Sequence, residues 1–305
     1  MKAKAPVDRL DCVIVGAGPA GLVAAIYLAR FRRSVLVIDD GTSRARYIPR
    51  SHNIPGFPEG IPGPDFLRRL RLQAKAAGVA MRKDRVDKLS PFAKGFKVGT
   101  AGAHVLAATV LMATGSSDHS PIPGLSSKLT WDGKVRWCPI CDGYESMDRR
   151  IVLVADSAHG SGHALFLRTY TQDLKLVVVP GGEPMRKSDR LKLSRAGIRV
   201  FEASPVKVAV GPDQGVLTLH GGESLPFDVL YPMMGSHGRS SLASTLHARF
   251  TRSGVLRVDA HQQTSVKGLY AAGDIVSSLK QISVAFSEGA QAATAIHRSL
   301  PPNFR

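Results

Sequence analysis

Two cysteines three residues apart, in Trp137-Cys138-Pro139-Ile140-Cys141-Asp142-Gly143, are the residues of this chain best suited to do chemistry. At a helix start, positions i and i+3 lie on one face, so the two thiols can close a disulfide. Pro139 suits a first helical turn. The partial positive charge of a helix N-terminus lowers a thiol's pKa, which makes a better nucleophile and a better leaving group. Asp142 follows directly and can take or give the proton that thiolate exchange requires. Two core cysteines or half a zinc site are the other readings. A zinc site would want further Cys or His at matching spacing, and none is near. The pair is therefore expected to be redox-active.

Redox chemistry needs an electron carrier, and the chain opens with a place for one. Asp11-Cys12-Val13-Ile14-Val15 reads as an apolar strand, Gly16-Ala17-Gly18-Pro19-Ala20-Gly21 as a tight turn, and Leu22 to Arg30 as a helix. A second apolar strand, Ser34 to Ile38, ends at Asp39-Asp40. A G-x-G-x-x-G in this context, closed by an acid after the next strand, is a dinucleotide-binding fingerprint. Gly16 allows the turn, Gly18 admits the pyrophosphate, and Gly21 permits close helix–strand packing. The helix N-terminus offers N–H groups to the phosphates, and Asp39 is placed to accept from ribose hydroxyls. Cys12, within the first strand, is expected to be a buried, inert thiol.

The middle of the chain repeats this topology with altered residues. Arg150 to Val154 is a strand, Ala155-Asp156-Ser157-Ala158-His159-Gly160 a turn, and a helix runs through Leu165-Phe166-Leu167. Lys175 to Val179 is the next strand. Ala155 and Ser157 stand where the first two glycines belong, and each puts a side chain where a pyrophosphate would lie. No acid ends the second strand. Pro180-Gly181-Gly182-Glu183 follows it, and the first basic residues come only at Arg186 and Lys187. His159 and His163 are four apart, but no third ligand accompanies them, so they are expected to be ordinary surface histidines.

At 305 residues the chain can bury a large core, and its length favours two domains. Its three cysteines exclude a structural disulfide framework and point to a reducing compartment. Met1 to Leu10 has no signal-type apolar stretch, and no apolar run is long enough to span a bilayer. These features predict a soluble cytoplasmic protein with no membrane partner. The formal charge is +17, with small basic clusters at Arg30-Arg32-Arg33, Arg68-Arg69-Arg71 and Arg149-Arg150. No aromatic interleaving or nucleic-acid motif accompanies them. They read as a solvated basic surface, with an acidic carrier protein as the alternative partner.

Five motifs in order carry a family resemblance: Gly16-Ala17-Gly18-Pro19-Ala20-Gly21, Asn53-Ile54-Pro55-Gly56, Ala113-Thr114-Gly115, Cys138-Pro139-Ile140-Cys141-Asp142 and Ala272-Gly273-Asp274. Across nearly its whole length the chain resembles the low-molecular-weight thioredoxin reductase type of flavin disulfide reductase. The resemblance implies an α/β fold of two Rossmann-like, three-layer nucleotide-binding domains, with the FAD domain discontinuous. Residues 1–116 and 241–305 would form the FAD domain, and 117–240 the NAD(P)-type domain carrying the Cys pair. Gly16, Gly18, Pro19, Ala20 and Gly21 would form the FAD pyrophosphate turn, and Asp39 would hold the adenosine ribose. Asn53 and Asp274 would lie along the flavin. Thr114, Gly115 and Gly273 would belong to its binding turns, and Gln281-Ile282 would face the isoalloxazine ring. Cys141 would lie nearest the flavin, Cys138 would attack the substrate disulfide, and Asp142 would move protons. The family passes electrons from NADPH through FAD and the Cys pair to a protein disulfide such as that of thioredoxin, and it forms homodimers. Its nucleotide domain swings between two orientations, for which Ser116 to Pro123 and Gly235 to Ser241 would be the crossings.

The departures bear on the electron source. The altered middle turn leaves NADPH or NADH as the donor an open question. A ferredoxin-dependent reductase and an oxygen-using dithiol oxidase stay open beside the NADPH reading. Asp142 favours the reductase direction. A different class, a non-catalytic redox-responsive protein binding an acidic partner, is compatible with the charge and has no specific motif behind it.

Overall fold

Residues 12–15 and 110–112 are apolar on both faces and fully buried or nearly so. A strand covered on both faces pairs in parallel inside a layered sheet. The computed structural model describes residues 9–120, 122–123, 125, 130, 133–252, 254–277 and 279–304. In it, Ala80–Lys83, Val35–Asp39, Leu10–Val15 and His104–Met112 lie side by side in that order, all parallel. His104–Met112 then divides its free edge. Its first half pairs antiparallel with Gly95–Thr100 and its second half pairs parallel with Leu269–Ala271. The C-terminal ends of Leu10–Val15, His104–Met112 and Leu269–Ala271 are thereby brought together, where open α/β sheets place their ligands.

One face of this sheet carries the helices Pro19–Arg30 and Ile282–Ser299. They cross at small residues: a Cβ on Gly289 would press into the Ala20 carbonyl oxygen. Phe66, on the helix Gly63–Ala76, stacks on Phe286 with ring centroids 5.8 Å apart. On the other face Val13, Val15, Val110 and Met112 pack with Val86, Leu89, Val98 and Leu256.

A second sheet has the order Arg199–Glu202, Leu174–Val178, Ile151–Ala155 and Val229–Met233, all parallel. The two-residue period of its central strand is visible in the packing. Ile151, Leu153 and Ala155 face Ala164 and Leu167 of the helix Gly160–Leu167 and Leu193 of the helix Lys187–Arg195. Val152 and Val154 face Leu217, Leu219, Leu225 and Phe227 of a three-stranded antiparallel meander. Each sheet is thus a middle layer, and both units are Rossmann-like.

The chain divides into a first unit of Met1–Arg46, Pro64–Ser117 and His237–Arg305 and a second of Tyr47–Gly63 and Asp118–Ser236. The first is discontinuous in sequence. Tyr47–Gly63, which the sequence reading left within residues 1–116, groups with the second. The two crossings are partly regular: Ser116–Asp118 and Ser236–Gly238 pair as a two-stranded ribbon, because outgoing and returning backbone run alongside each other. Ser241–Ser244 is a helical turn. Pro121, within the first crossing, and residues 1–8, on which the reading of the N-terminus rested, lie outside the described residues. Among the described residues no helix is long and apolar enough to cross a membrane.

Candidate active site

Cys138 and Cys141 form a disulfide, with S–S 2.03 Å and Cα–Cα 5.2 Å. Cys138 is the N-cap of the helix Pro139–Asp142, in extended conformation, and its Sγ accepts the Cys141 N–H at 3.2 Å. Pro139 occupies the first helical position, where its missing N–H costs nothing. Gly143 ends the helix with no room for a side chain: a Cβ there would lie 2.6 Å from Tyr170 Cε2.

Asp142 points inward from this helix. Burial pushes its carboxyl up to about 6, against the pull of Arg136 and of a hydrogen bond from Tyr231. Tyr231 Oη donates to Asp142 Oδ1 at 2.8 Å, and Arg136 Nη1 donates to the Asp142 carbonyl at 2.7 Å. A carboxyl so placed holds a proton at mildly acid pH and releases it near neutrality, which is the range thiol exchange works in. Residue spacing identified Asp142 by its place after the second cysteine. Tyr231, Ser146 and Arg136 gave no signal, since each reads as an ordinary strand or loop residue.

In the first unit the Gly-rich turn, Thr114-Gly115 and Gly273-Asp274 meet at the C-terminal ends of the three adjacent strands. Gly16 has φ +106°, and a Cβ there would press into the Ala113 carbonyl. A Cβ on Gly21 would press into the Gly16 carbonyl oxygen, and one on Gly273 would lie 3.1 Å from Ala20 Cβ. Gly18 is the N-cap, Pro19 is in the first turn, no side chain caps the helix, and its first turn holds no acid. Asp39 ends its strand and accepts the Ala17 N–H at 2.9 Å, with Arg71 3.5 Å from its other oxygen. Thr114 Oγ1 donates to the Arg239 carbonyl at 2.7 Å, and Gly115 O accepts the Arg239 N–H at 2.9 Å. Asp274 accepts from Ser116 Oγ at 3.2 Å and faces Arg44 at 3.6 Å. Gln281 is the N-cap of the helix that Ile282 begins. Asn53, which accepts from Ser51 Oγ at 2.9 Å, lies in the second unit.

The residues of the first unit fit FAD. Backbone N–H groups at an uncapped, acid-free helix start suit a pyrophosphate, and Asp39 suits a ribose. Arg44, Ser116 and Arg239, which hold the neighbouring acid and turn, were not singled out in the sequence.

The corresponding turn of the second unit closes on itself. Asp156 Oδ1 accepts the His159 N–H at 2.8 Å, and His159 Nδ1 lies 3.0 Å from the same carboxylate. Burial raises the Asp156 pKa, but these hydrogen bonds outweigh it and hold the carboxyl below its usual range. Ser157 Oγ donates to the Glu183 carbonyl, bridging the turn to the loop after the next strand. Cys12 is fully buried, and desolvation pushes its thiol up to about 12. Among the described residues no group of three or more His, Cys, Asp or Glu is placed to hold a metal.

The pattern of the pyridine nucleotide-disulphide oxidoreductases matches residues 10–289, and the chain belongs to that family. It is 28% identical to a thioredoxin reductase of Streptomyces clavuligerus, over 96% of this chain and 94% of that one. The crystal structure of HlmI superposes with a TM-score of 0.87 at 26% identity, covering 95% of this chain and 92% of HlmI. An atypical thioredoxin reductase, TRi of Desulfovibrio vulgaris Hildenborough, shares 30% identity at a TM-score of 0.54, covering 96% and 100%. The protein is an FAD-dependent disulfide oxidoreductase of the thioredoxin-reductase type.

Proposed function

We propose that this enzyme passes electrons through the Cys138–Cys141 pair to the disulfide of a thioredoxin-like protein. The observation that carries the reading is the closed disulfide at a helix N-terminus with the half-buried Asp142, bonded by Tyr231, beside it. The first unit holds FAD through Gly16, Gly18, Pro19, Ala20, Gly21, Asp39, Thr114, Gly115, Gly273, Asp274, Gln281 and Ile282. Residues 117–240 carry the pair. When bound, FAD supplies the electron pair that opens the disulfide. Cys138 Sγ then bonds to one substrate sulfur as the substrate S–S bond breaks, and the departing thiolate takes a proton from Asp142. Cys141 Sγ attacks Cys138 Sγ, releases the second substrate thiolate and restores the internal disulfide. Two electrons have moved from the pair to the substrate. The cytoplasm is the compartment this chemistry suits, and a homodimer is the assembly proposed with it.

The self-closed turn at Ala155–Gly160 favours a second reading of the electron source, in which a carrier protein of ferredoxin type replaces NADPH. An anaerobic titration of the holoenzyme, followed at the visible flavin band, tests both. Dithiothreitol is expected to bleach the flavin through the cysteines, and NADPH and NADH to do so slowly or not at all. Rapid bleaching by either nucleotide overturns the second reading. Failure of dithiothreitol to bleach the flavin overturns the first.

A further inference from the structure

Tyr231 lies in the strand Val229–Met233 within the apolar layer of the second unit, and it is 0% exposed. A buried hydroxyl costs free energy unless it is paired, and a residue of the same shape without it would pack there as well. This hydroxyl is aimed at Asp142. Besides donating to Oδ1 at 2.8 Å, Tyr231 Oη lies 2.9 Å from Ser146 Oγ. Ser146 Oγ donates to the Asp142 carbonyl at 3.1 Å. Arg136 Nη1 bonds both that carbonyl and Ser146 Oγ, the latter at 3.1 Å. The charged groups acting on Asp142 are Arg136, which favours its ionised form, and Glu145, which opposes it.

We propose that Tyr231 is a positioning residue for Asp142, its hydroxyl turning with the proton state of that carboxyl so that the acid stays in one place throughout the exchange. The inference rests on the reading of Asp142 as the acid. With Asp142 ionised, the Tyr231 O–H donates to Oδ1 and Oη accepts from Ser146. With Asp142 protonated, its O–H donates to Tyr231 Oη, the tyrosine hydroxyl turns to Ser146 Oγ, and Ser146 donates to the Asp142 carbonyl. Each hydroxyl keeps its own proton, and only the Asp142 proton leaves the cluster. Arg136 anchors the backbone of the acid in both states, and Ser146 adds its bond to that carbonyl in the protonated one.

The test is an infrared pH titration of the holoenzyme in its disulfide form, with the Asp142 carboxylic-acid band assigned by its loss in Asp142→Asn. Tyr231→Phe keeps the shape of the core but removes the donor to the carboxylate. It is expected to move the titration midpoint upward by about one to two pH units, since a hydrogen bond to a charged group is lost. Ser146→Ala is expected to move it upward by less than about one unit, and it stands in should Tyr231→Phe fold poorly. A merely structural tyrosine would lower the thermal midpoint and leave the titration where it was. An unmoved midpoint in both variants overturns the proposal while leaving Asp142 as the acid. If Asp142→Asn lets dithiothreitol bleach the flavin at the wild-type rate, the reading of Asp142 itself falls, and the positioning role falls with it.

Discussion

At Gly16–Gly21 the chain leaves the strand Leu10–Val15 through three glycines, and the helix that follows has no side-chain cap and no acid in its first turn. At Ala155–Gly160 it leaves Ile151–Ala155 through one glycine. There the Asp156 carboxylate caps the His159 N–H, and Ser157 ties the turn to the Glu183 carbonyl. Both turns join a buried parallel strand to a helix. Neither helix has a side-chain cap, and each turn gives one N–H to a carboxylate of the chain, Ala17 to Asp39 and His159 to Asp156; the difference is that the second carboxylate belongs to the turn itself. The comparison teaches that topology preserves a nucleotide-binding shape after the chemistry of the turn has changed. Fold likeness alone therefore says less about the second site than about the first.

The third glycine position of each turn gives the sharpest way to break the contrast. Gly21 meets backbone: a Cβ there would press into the Gly16 carbonyl oxygen. Gly160 meets side chains, with Ala155 Cβ at 3.3 Å and Leu176 Cδ1 at 3.4 Å. Gly21→Ala is expected to cost about 3 kcal/mol and to yield protein purified without its yellow colour. Gly160→Ala is expected to cost under about 1 kcal/mol, offset by the better helix propensity of alanine. Denaturant unfolding and the flavin-to-protein absorbance ratio measure both. Equal losses in the two variants would show that the turns are closed by the same packing.

Asp142 and Asp156, both in the second unit, contrast in the opposite sense. Burial raises the Asp142 pKa from 3.8 to about 6, so the folded state holds this proton more tightly than the unfolded chain does. Its contribution is most favourable below the unfolded pKa and is lost as pH rises toward about 6. At pH near 7 the buried carboxylate costs stability, up to about 3 kcal/mol by linkage. Asp142→Asn is therefore expected to raise the thermal midpoint at neutral pH while slowing disulfide exchange. A midpoint that falls at neutral pH would mean that the charged form is the better held one.

Asp156 is shifted downward by its hydrogen bonds, so its contribution is present above the ordinary carboxylate pKa and lost as pH falls through the depressed folded value. Asp156→Ala is expected to cost about 1 kcal/mol, the usual net worth of one hydrogen bond. That difference should vanish in acid, below both pKa values. A difference that persists there would assign the effect to packing instead of charge.

Much of this contrast was legible in the residues. The glycines of the first turn, their replacement by Ala155 and Ser157, the acid at Asp39 and the Cys-x-x-Cys-Asp run all depend on local spacing, which a single chain displays. The capping of His159 by Asp156 was equally local, but an acid inside a degraded motif reads as a loop residue until its carboxylate is seen to point back. The surroundings of Asp142 were not legible. Tyr231 and Ser146 are 85 residues apart, and Leu230-Tyr231-Pro232-Met233 reads as core strand. Arg44 beside Asp274 and Arg239 beside Thr114 depend in the same way on which strands become neighbours.

The smallest expected effect tests the comparison most directly. Ser157 is the residue that both fills the second glycine position and bonds the Glu183 carbonyl, and a Cβ on the facing Gly182 would lie 3.4 Å from its hydroxyl. Ser157→Gly removes the side chain and opens that side of the turn. Asp156 stays, and its carboxylate still occupies the His159 N–H just before the helix and repels a phosphate. The gain should therefore be modest: NADPH affinity by calorimetry is expected to improve only a few-fold, about 0.7 kcal/mol. Adding Asp156→Asn to Ser157→Gly should improve it further, because the repelling charge is then gone. If the double variant binds NADPH no better than the wild type, side chains at this turn are not what separates the second site from the first, and the difference must lie beyond the strand, where no acid or arginine pair follows Val178.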